Sequence, residues 1–253
     1  MVSQASDIVA GSRSDQKTNM QAVVDALFSD FFACHGDQIS GDDPAIIAGL
    51  ATLKGHPVAV IATEKGTTLE ERMATHFGSP EPAGYRKSLR VMRMAEKMHM
   101  PIITLINTPG AYPGADAEAA GQGQMIAKNI REMLTLKTPI LTIIVGEAGS
   151  GGALALACSD TIWMLEHSMY AILSPEGFAS IMWKDAHRAD EAAELMRLTP
   201  NQLKAQHVID RVLPDESVLD ENFQQTMADE LAKLSDQTIS TLLAKRQARF
   251  RRF

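Results

Sequence analysis

Glycine residues are concentrated at one point in the chain where backbone amides could bind an anion. The segment Gly149-Ser150-Gly151-Gly152 lies between two apolar runs, residues 140–146 and 152–158. Glycine is favoured where the backbone approaches a ligand closely or adopts a positive φ, and the first N–H groups of a helix have no partner within it. If Gly151 and Gly152 begin a helix, their N–H groups form an oxyanion hole, in which losing one donor typically costs about 3 kcal/mol of transition-state stabilisation. The same glycines would also allow a helix and a strand to pack closely, and spacing alone does not separate the two interpretations.

Two more loops rich in glycine and proline, residues 108–114 and 174–177, also follow predicted strands. In an open parallel sheet, ligands bind beyond the carboxyl ends of the strands. Residues 65–66, which follow another predicted strand, are also candidates for lining the cleft, although a simple turn explains them equally well. Local packing likewise remains an alternative explanation for the loop at residues 108–114. The candidate binding residues are Gly149, Ser150, Gly110, Ala111, Tyr112, Pro113, Gly114, Lys65, Gly66, Pro175, Glu176 and Gly177.

Several common catalytic and cofactor motifs are absent around this glycine segment. A nucleophile elbow centred on Ser150 requires glycine at position 148, which is Ala148. A dinucleotide-binding motif starting at Gly149 requires glycine at position 154, which is Leu154. No P-loop lysine follows, and the seven histidines have no metal-ligand spacing. Glu147 and Glu176 could act as acids or bases, although helix capping or loop anchoring explains them more simply. The segment is therefore a backbone anion trap without an obvious side-chain nucleophile.

The composition indicates an acidic, soluble, cytoplasmic protein. The net charge of −7 and pI near 5.5 argue against general nucleic-acid binding. The two cysteines, Cys34 and Cys158, exclude a disulfide framework and a zinc ribbon and fit a reducing compartment. The first residues lack the apolar region of a signal peptide, and no apolar run is long enough to cross a membrane.

The order of predicted elements indicates an α/β fold with parallel strands. Near-continuous apolar strands that alternate with helices imply a sheet covered on both faces. Arg86 and Arg90 lie on the polar side of the predicted helix 83–99 and could bind coenzyme A phosphates or an acidic partner, but a solvated helix face is the simpler expectation. The predicted elements are a loose arm over 1–18, a helix from Asn19 with an apolar stripe reaching Phe32, a hairpin turn at 54–57, strands at 46–53, 58–63, 101–107, 140–146, 161–165 and 170–173, helices at 83–99, 117–136, 152–158 and from 175, a helical region from about 219, and a solvated basic C-terminal end.

Five sequence blocks resemble one enzyme family, the alpha subunit of the carboxyltransferase of bacterial acetyl-CoA carboxylase. The resemblance extends in order from about residue 31 to residue 214, and Trp183-Lys184 also fits it. Asn107, Ala148 and Phe178 depart from the family pattern, in which position 107 is often aspartate. The blocks are residues 84–90, 101–104, 108–114, 149–155 and 174–177.

The resemblance implies a crotonase-like (ClpP/crotonase) fold, a spiral of ββα units with helical N- and C-terminal elaborations, as a single domain over 19–253. It implies transfer of a carboxyl group from carboxybiotin to the coenzyme A thioester acetyl-CoA, which gives malonyl-CoA for fatty-acid biosynthesis. Gly151 and Gly152 would hold the carbonyl oxygen of biotin's ureido ring. The implied partners are a zinc-bearing beta subunit in an alpha₂beta₂ complex, the biotin carboxyl carrier protein and biotin carboxylase, with ATP bound elsewhere in the complex and no metal in this chain.

Three other functions remain possible at this point. A self-sufficient crotonase-type hydratase or isomerase would use one or two catalytic carboxylates without a partner. A Clp-like serine peptidase would use Ser150 or Ser174. A non-catalytic scaffold subunit would leave all the chemistry to its partner.

Overall fold

The computed structural model describes residues 5–14, 17 and 19–252. It confirms the α/β class, with eight strands in one sheet. The strands are β1 (Ser29–Ala33), β2 (Ile46–Leu53), β3 (His56–Thr63), β4 (Ile102–Thr108), β5 (Ile140–Gly149), β6 (Thr161–Leu165), β7 (Met169–Ala171) and β8 (Arg211–Leu213). Their order is β1-β2-β3-β4-β5-β6-β8, and β7 pairs with β5 outside this path.

Helices cover both faces of the sheet. The α-helices are α1 (Ala5–Ser12), α2 (Met20–Leu27), α3 (Leu69–Ala74), α4 (Pro82–Lys97), α5 (Ala115–Ala119), α6 (Gln122–Met133), α7 (Ser150–Ala157), α8 (Pro175–Trp183), α9 (Ala189–Met196), α10 (Pro200–Ala205), α11 (Glu221–Ser235) and α12 (Ile239–Phe250). Short 3₁₀ turns lie at His76–Gly78, Ala186–Arg188 and Asp215–Leu219.

The central strands are parallel because each connection between them crosses a face of the sheet. β3, β4, β5, β6 and β8 pair in parallel, whereas β1, β2 and β3 pair as antiparallel neighbours. Every residue of β4, β5 and β6 is buried, as expected for strands with both faces covered. The side chains of β3 alternate between two cores, one beneath α4, α6 and α7 and the other beneath α2 and α11.

Several local predictions are confirmed. β2 and β3 form the predicted hairpin, with Lys54 (φ 48°) and Gly55 (φ 82°) in its turn. α8 begins at Pro175 as predicted.

Three element boundaries were predicted incorrectly. The helix after Asn19 ends at Leu27, so Phe31 and Phe32 lie in strand β1 instead of continuing the helical stripe. The single helix expected over 117–136 is divided into α5 and α6 because Gly121 adopts a left-handed conformation (φ 90°). The loop expected over 147–151 is absent, since β5 continues to Gly149 and α7 begins at the next residue.

Both chain ends are more ordered than the sequence indicates. Residues Ala5–Ser12, predicted as part of a loose arm, form α1 with Ile8 and Val9 buried. Residues 1–4, 15, 16 and 18 of that arm lie outside the described residues. The predicted solvated basic end is wrong at Arg246 of α12, which is 1% exposed. The limits of the single domain stay a prediction.

Candidate active site

Two of the three predicted loops meet at the carboxyl edge of the sheet, where β4 and β5 end. A Cβ atom added to Gly149 would lie 1.9 Å from the carbonyl oxygen of Pro109, and one added to Gly152 would lie 2.3 Å from the amide nitrogen of Ala111. Gly110 has a positive φ of 139°, which favours glycine at this contact. Close packing therefore explains the glycines at positions 149 and 152.

Packing restricts the third glycine of this loop, Gly151, much less than the other two. A Cβ atom there would meet only the Cγ2 atom of Ile126, at 3.3 Å, and Gly151 is half-buried. The amide nitrogens of residues 150–152 form the first turn of α7, and no side chain of the described residues caps that turn. The exposed Ser150 has a positive φ of 52° at the start of the helix. These first N–H groups lack partners within the helix and lie where the macrodipole favours negative charge.

Tyr112 is fixed in place by the elements around its loop. Its ring stacks on His76, with ring centroids 3.9 Å apart and 18° between the planes. Its amide donates to the carbonyl oxygen of Pro80, and the buried Gln122 Nε2 donates to the carbonyl oxygens of both Pro80 and Tyr112. Gly114 is required next to this ring, because a Cβ atom there would lie 2.4 Å from Tyr112 Cε1. Sequence analysis missed His76, since a lone histidine carries no motif.

A cluster of charged side chains joins the ends of two strands and the start of one helix to the N-terminal segment. Lys65 follows β3, Glu147 lies near the end of β5, and Glu176 lies in the first turn of α8. The Nζ atom of Lys65 donates to Glu147 Oε2 at 2.5 Å, and Arg13 Nε donates to Glu147 Oε1 at 2.8 Å. Arg13 Nη1 and Nη2 also donate to the two oxygens of Glu176 at 2.6 and 3.2 Å. Arg13 thus connects two predicted site regions, although no sequence motif marks it.

Asn107, one of the departures from the family pattern, is part of the same edge. Its backbone N–H donates to Thr63 Oγ1 at 2.6 Å, and its side-chain Oδ1 atom accepts from the backbone N–H of Glu147 at 3.1 Å. A Cβ atom on Gly146 would lie 2.4 Å from that Oδ1 atom, so the contact requires glycine there. The side chain of Asn107 places an uncharged acceptor next to the buried Glu147 carboxylate.

A cleft of about 830 Å³ opens at this edge of the sheet. Its lining includes the candidates Lys65 and Gly66 together with Asn107 and Glu147. Other lining residues come from the N-terminal segment and from around α3, and sequence analysis did not propose them as site residues. They include Arg13, Lys17, Met20, Leu69, Arg72 and Phe77.

The third predicted loop, residues 174–177, starts helix α8. Ser174 caps the helix by accepting the amide hydrogen of Gly177 at 3.0 Å, and the buried Pro175 occupies the first turn. Ser174 is therefore engaged as a cap. Glu176 binds Arg13, which also binds Glu147, two residues before the glycine loop at residues 149–152.

Arg86 and Arg90 form hydrogen bonds to the neighbouring loop at residues 35–37. Arg86 Nε donates to Asp37 Oδ2 at 2.6 Å, and Arg90 donates to the carbonyl oxygens of His35 and Gly36. Burial opposes ionisation of Asp37, but hydrogen bonds from the amides of residues 41 and 39 and from Arg86 hold its pKa below the usual range. Neither arginine lines the cleft, so the idea that they bind phosphates remains a prediction without geometric support.

Two further properties bear on the expected class of protein. The described residues contain no group of three or more histidine, cysteine or acidic side chains placed to hold a metal ion. Within the same ranges, no helix is both long enough and apolar enough to span a bilayer.

Comparison with known proteins identifies the family. A family described as "Acetyl co-enzyme A carboxylase carboxyltransferase-like" matches residues 3–253. The chain belongs to this family. A relative from Streptococcus pyogenes serotype M5 (strain Manfredo) is 50% identical over 231 residues, which cover 90% of each chain. A relative from Streptococcus sanguinis (strain SK36) is 47% identical over 250 residues, which cover 97% of this chain and 98% of that one. Both are named acetyl-coenzyme A carboxylase carboxyl transferase subunit alpha.

Two solved structures share the fold of this chain. The transcarboxylase 12S hexamer core with bound methylmalonyl-coenzyme A superposes with a TM-score of 0.74 at 17% identity, over 90% of this chain and 44% of that one. A Pseudomonas malonate decarboxylase hetero-tetramer in complex with coenzyme A superposes with a TM-score of 0.73 at 18% identity, over 93% and 98%. The expected crotonase-type fold is thereby confirmed.

Proposed function

We propose that this chain is the alpha half of an acetyl-CoA carboxylase carboxyltransferase that transfers a carboxyl group from carboxybiotin to acetyl-CoA and so forms malonyl-CoA. Family membership supports the reaction class. The observation that carries the site assignment is Gly151, where packing restricts a side chain much less than at Gly149 or Gly152 and where glycine leaves the first turn of α7 accessible. Formation of malonyl-CoA is the first committed step of fatty-acid synthesis.

The residues of this chain supply positioning and charge stabilisation. Carboxybiotin, held on a separate carrier protein, supplies the carboxyl group. The N–H groups of Gly151 and Gly152 lie in the first turn of α7, at the positive end of the helix dipole, and no described side chain caps that turn. They therefore fit a carbonyl oxygen that gains negative charge. Tyr112, clamped against His76, forms a rigid aromatic surface in the neighbouring loop and is our candidate for the wall of the biotin site.

The carboxylates near the glycine loop are poor candidates for a general base. Glu147 is 6% exposed, and both of its oxygens accept hydrogen bonds from cations, Arg13 and Lys65. Glu176 is engaged by Arg13 on both oxygens. A reaction that depends on backbone donors and accurate positioning fits this arrangement better than hydration by a free carboxylate.

The surface next to the site fits an enzyme completed by a second subunit. Large apolar side chains are exposed on both sides of the 174–177 loop, including Ile172 at 84% and Ile181 and Met182 at 63% and 60%. Large exposed apolar side chains grouped around one loop favour an interaction surface there. We propose that it contacts the zinc-bearing beta subunit of an alpha₂beta₂ complex that also works with the biotin carboxyl carrier protein and biotin carboxylase.

Reconstitution with a beta subunit tests the reaction directly. The chain alone should be inactive, and the complex should transfer carboxyl groups between malonyl-CoA and biocytin. Gly151→Val should lower turnover of the complex by about 10²-fold or more, because the branched side chain would obstruct a donor site. Gly123→Val is the matched control, since Gly123 lies in helix α6 with open space around its Cα hydrogens.

Two results would contradict the proposal. Appreciable hydration of enoyl-CoA by the chain alone would indicate a self-sufficient hydratase. Equal turnover of the Gly151→Val and Gly123→Val complexes would indicate a scaffold subunit whose partner holds the chemistry.

The assembly surface requires its own experiment. Ile181→Asp should prevent co-purification with the beta subunit while leaving the melting temperature of the isolated chain within a few degrees of wild type, because Ile181 is already exposed. Met98→Asp, at an exposed apolar residue beyond the end of α4, is the control and should assemble normally. Normal assembly of Ile181→Asp would place the beta subunit on another surface.

A further inference from the structure

We propose that Arg13 is a positioning residue that holds the glycine loop at residues 149–152 in a fixed relation to the loop at residues 174–177. This inference rests on the proposed function, because it assigns Arg13 a role in the same site. The observations that carry it are the geometry of one guanidinium group and the packing of the helix that delivers it.

The first contact of Arg13 is with the strand that leads into the glycine loop. Its Nε atom donates to Glu147 Oε1 at 2.8 Å, and Glu147 lies two residues before Gly149 on β5. The Glu147 carboxylate is almost fully buried, so it requires nearby positive charge. Lys65 provides the second cation on the opposite oxygen. Any displacement of Arg13 therefore changes the environment of a buried carboxylate next to the proposed anion site.

The second contact of Arg13 is with the first turn of α8. Its two terminal nitrogens donate to both oxygens of Glu176 at 2.6 and 3.2 Å, a two-point contact that fixes direction as well as distance. In agreement with this geometry, the hydrogen bond from Arg13 lowers the pKa of Glu176, and the hydrogen bond to Glu176 raises the pKa of Arg13. A single planar group therefore joins β5 to α8.

Helix α1 holds Arg13 in this position. Ala5 and Val9 of α1 pack in a small core with Met169 of β7 and with Ala193 and Leu198 around α9. The amide of Ala5 donates to Glu194 Oε1 at 2.7 Å. Arg13 directly follows this packed helix, so its backbone is anchored before its side chain reaches the two carboxylates.

The position of this contact predicts an effect on turnover more than on substrate binding. Gly151 and Gly152 lie four and five residues beyond Glu147, and their N–H groups act only if they point at the developing charge. A displacement of about 1 Å in such a group can lower the rate about 10²-fold. An interaction needed only in the transition state lowers kcat and kcat/KM equally when it is removed.

The test compares Arg13→Gln, Arg13→Lys and a control in the complex reconstituted with the beta subunit. Arg13→Gln should lower kcat about 10- to 100-fold with KM within about twofold of wild type. Arg13→Lys should recover part of the rate, because lysine retains the charge but cannot bridge both carboxylates. Arg93→Gln is the control: it removes another arginine that pairs with one glutamate, Glu132 on α6, and it should leave kcat unchanged.

Hydrogen exchange provides a readout that does not depend on activity. Arg13→Gln should increase amide exchange in residues 146–152 and 174–178, and Arg93→Gln should not. Unchanged kcat in Arg13→Gln would overturn the proposal, as would a loss of activity that only parallels a loss of melting temperature and assembly. If the wild-type complex transfers no carboxyl group, the proposed function fails. The role of Arg13 is then tested by hydrogen exchange alone, and unchanged exchange in both segments of Arg13→Gln overturns it.

Discussion

The two edges of the parallel sheet are each held by an arginine from one end of the chain, but in different surroundings. At the amino edge, Arg246 of α12 is buried and forms a two-point ion pair with Asp160, which precedes β6. At the carboxyl edge, Arg13 remains about one-third exposed and bridges Glu147 and Glu176 beside an open cleft. The same residue type is therefore buried in an ion pair at one edge and bridges two carboxylates beside an open cleft at the other.

The hydrogen bonds of the two arginines explain this difference. The nitrogens of Arg246 donate to Asp160 and to the carbonyl oxygens of Met133, Leu136 and Thr138, and Asp160 also accepts from the amide of Ile140. This dense network fixes the start of β5. Among the described residues, the hydrogen bonds of the Arg13 guanidinium go to side chains, so this network can position loops while the cleft remains accessible. We infer that stability is concentrated at the amino edge and chemistry at the carboxyl edge.

The largest effect on stability is expected from Arg246→Ala. Removing one partner of a buried ion pair leaves Asp160 without compensation and typically costs about 3–5 kcal/mol of unfolding free energy. Denaturant unfolding of the isolated chain measures this loss, with Arg93→Ala as the control at an exposed pair. A loss below about 1 kcal/mol would contradict the assignment of stability to the amino edge.

Gly149→Ala should have the next largest effect and should act at the carboxyl edge. The new Cβ atom would lie 1.9 Å from the backbone oxygen of Pro109, so the two loops must separate. Overpacking of this kind typically costs about 1–3 kcal/mol. Gly151→Ala is the matched control, with a nearest contact of 3.3 Å to a side-chain methyl group, and should cost less than about 1 kcal/mol. Equal melting temperatures for the two variants would show that these loops are not packed against each other.

Local patterns in the sequence predicted most of the strands and helices and the loops that meet at the candidate site. Continuous apolar runs marked β4, β5 and β6, and glycine and proline marked the loops that follow them. The close contact between Gly149 and Pro109 could not be predicted, because it depends on strand order. The boundary errors at Phe31 and Gly121 have local causes: aromatic residues suit either a helix or a strand, and one left-handed residue breaks a helix.

The two arginines show what a single sequence conceals. Arg13 lies in a polar segment and Arg246 in a basic one, so each has the composition of a solvated end. Their partners, Glu176 and Asp160, are 163 and 86 residues away along the chain. Local composition gives no indication of such pairs. For Arg86 the sequence indicated the correct helix face, but not that Asp37 from a preceding loop would occupy it.

Asp37→Asn should have an effect in the same range as Gly149→Ala, but one that falls with pH. The Asp37 carboxylate accepts from the amides of Ile39, Ser40 and Gly41 and from Arg86, and its folded pKa lies below the usual range. A group with a lowered folded pKa contributes stability above its unfolded pKa and loses it as the pH falls through the folded value. Asp37→Asn should therefore cost about 1–3 kcal/mol at pH 7 and progressively less below pH of about 4. A cost that is constant between pH 7 and pH 3 would contradict this role.

The smallest effect is expected from Tyr85→Phe, at a buried hydroxyl behind the glycine loop. This hydroxyl lies 2.8 Å from the position of a Cβ atom on Gly152 and has no hydrogen-bond partner among the described residues. Removing an unsatisfied buried hydroxyl avoids its desolvation cost, so the variant should be as stable as wild type or up to about 1 kcal/mol more stable. Thr104→Val is the contrasting variant, because it removes one member of the buried hydroxyl pair between Thr104 and Thr142 and should destabilise the fold. If Tyr85→Phe instead destabilises the chain by more than about 1 kcal/mol, the hydroxyl has a partner such as buried water, and the carboxyl edge is as fully hydrogen-bonded as the amino edge.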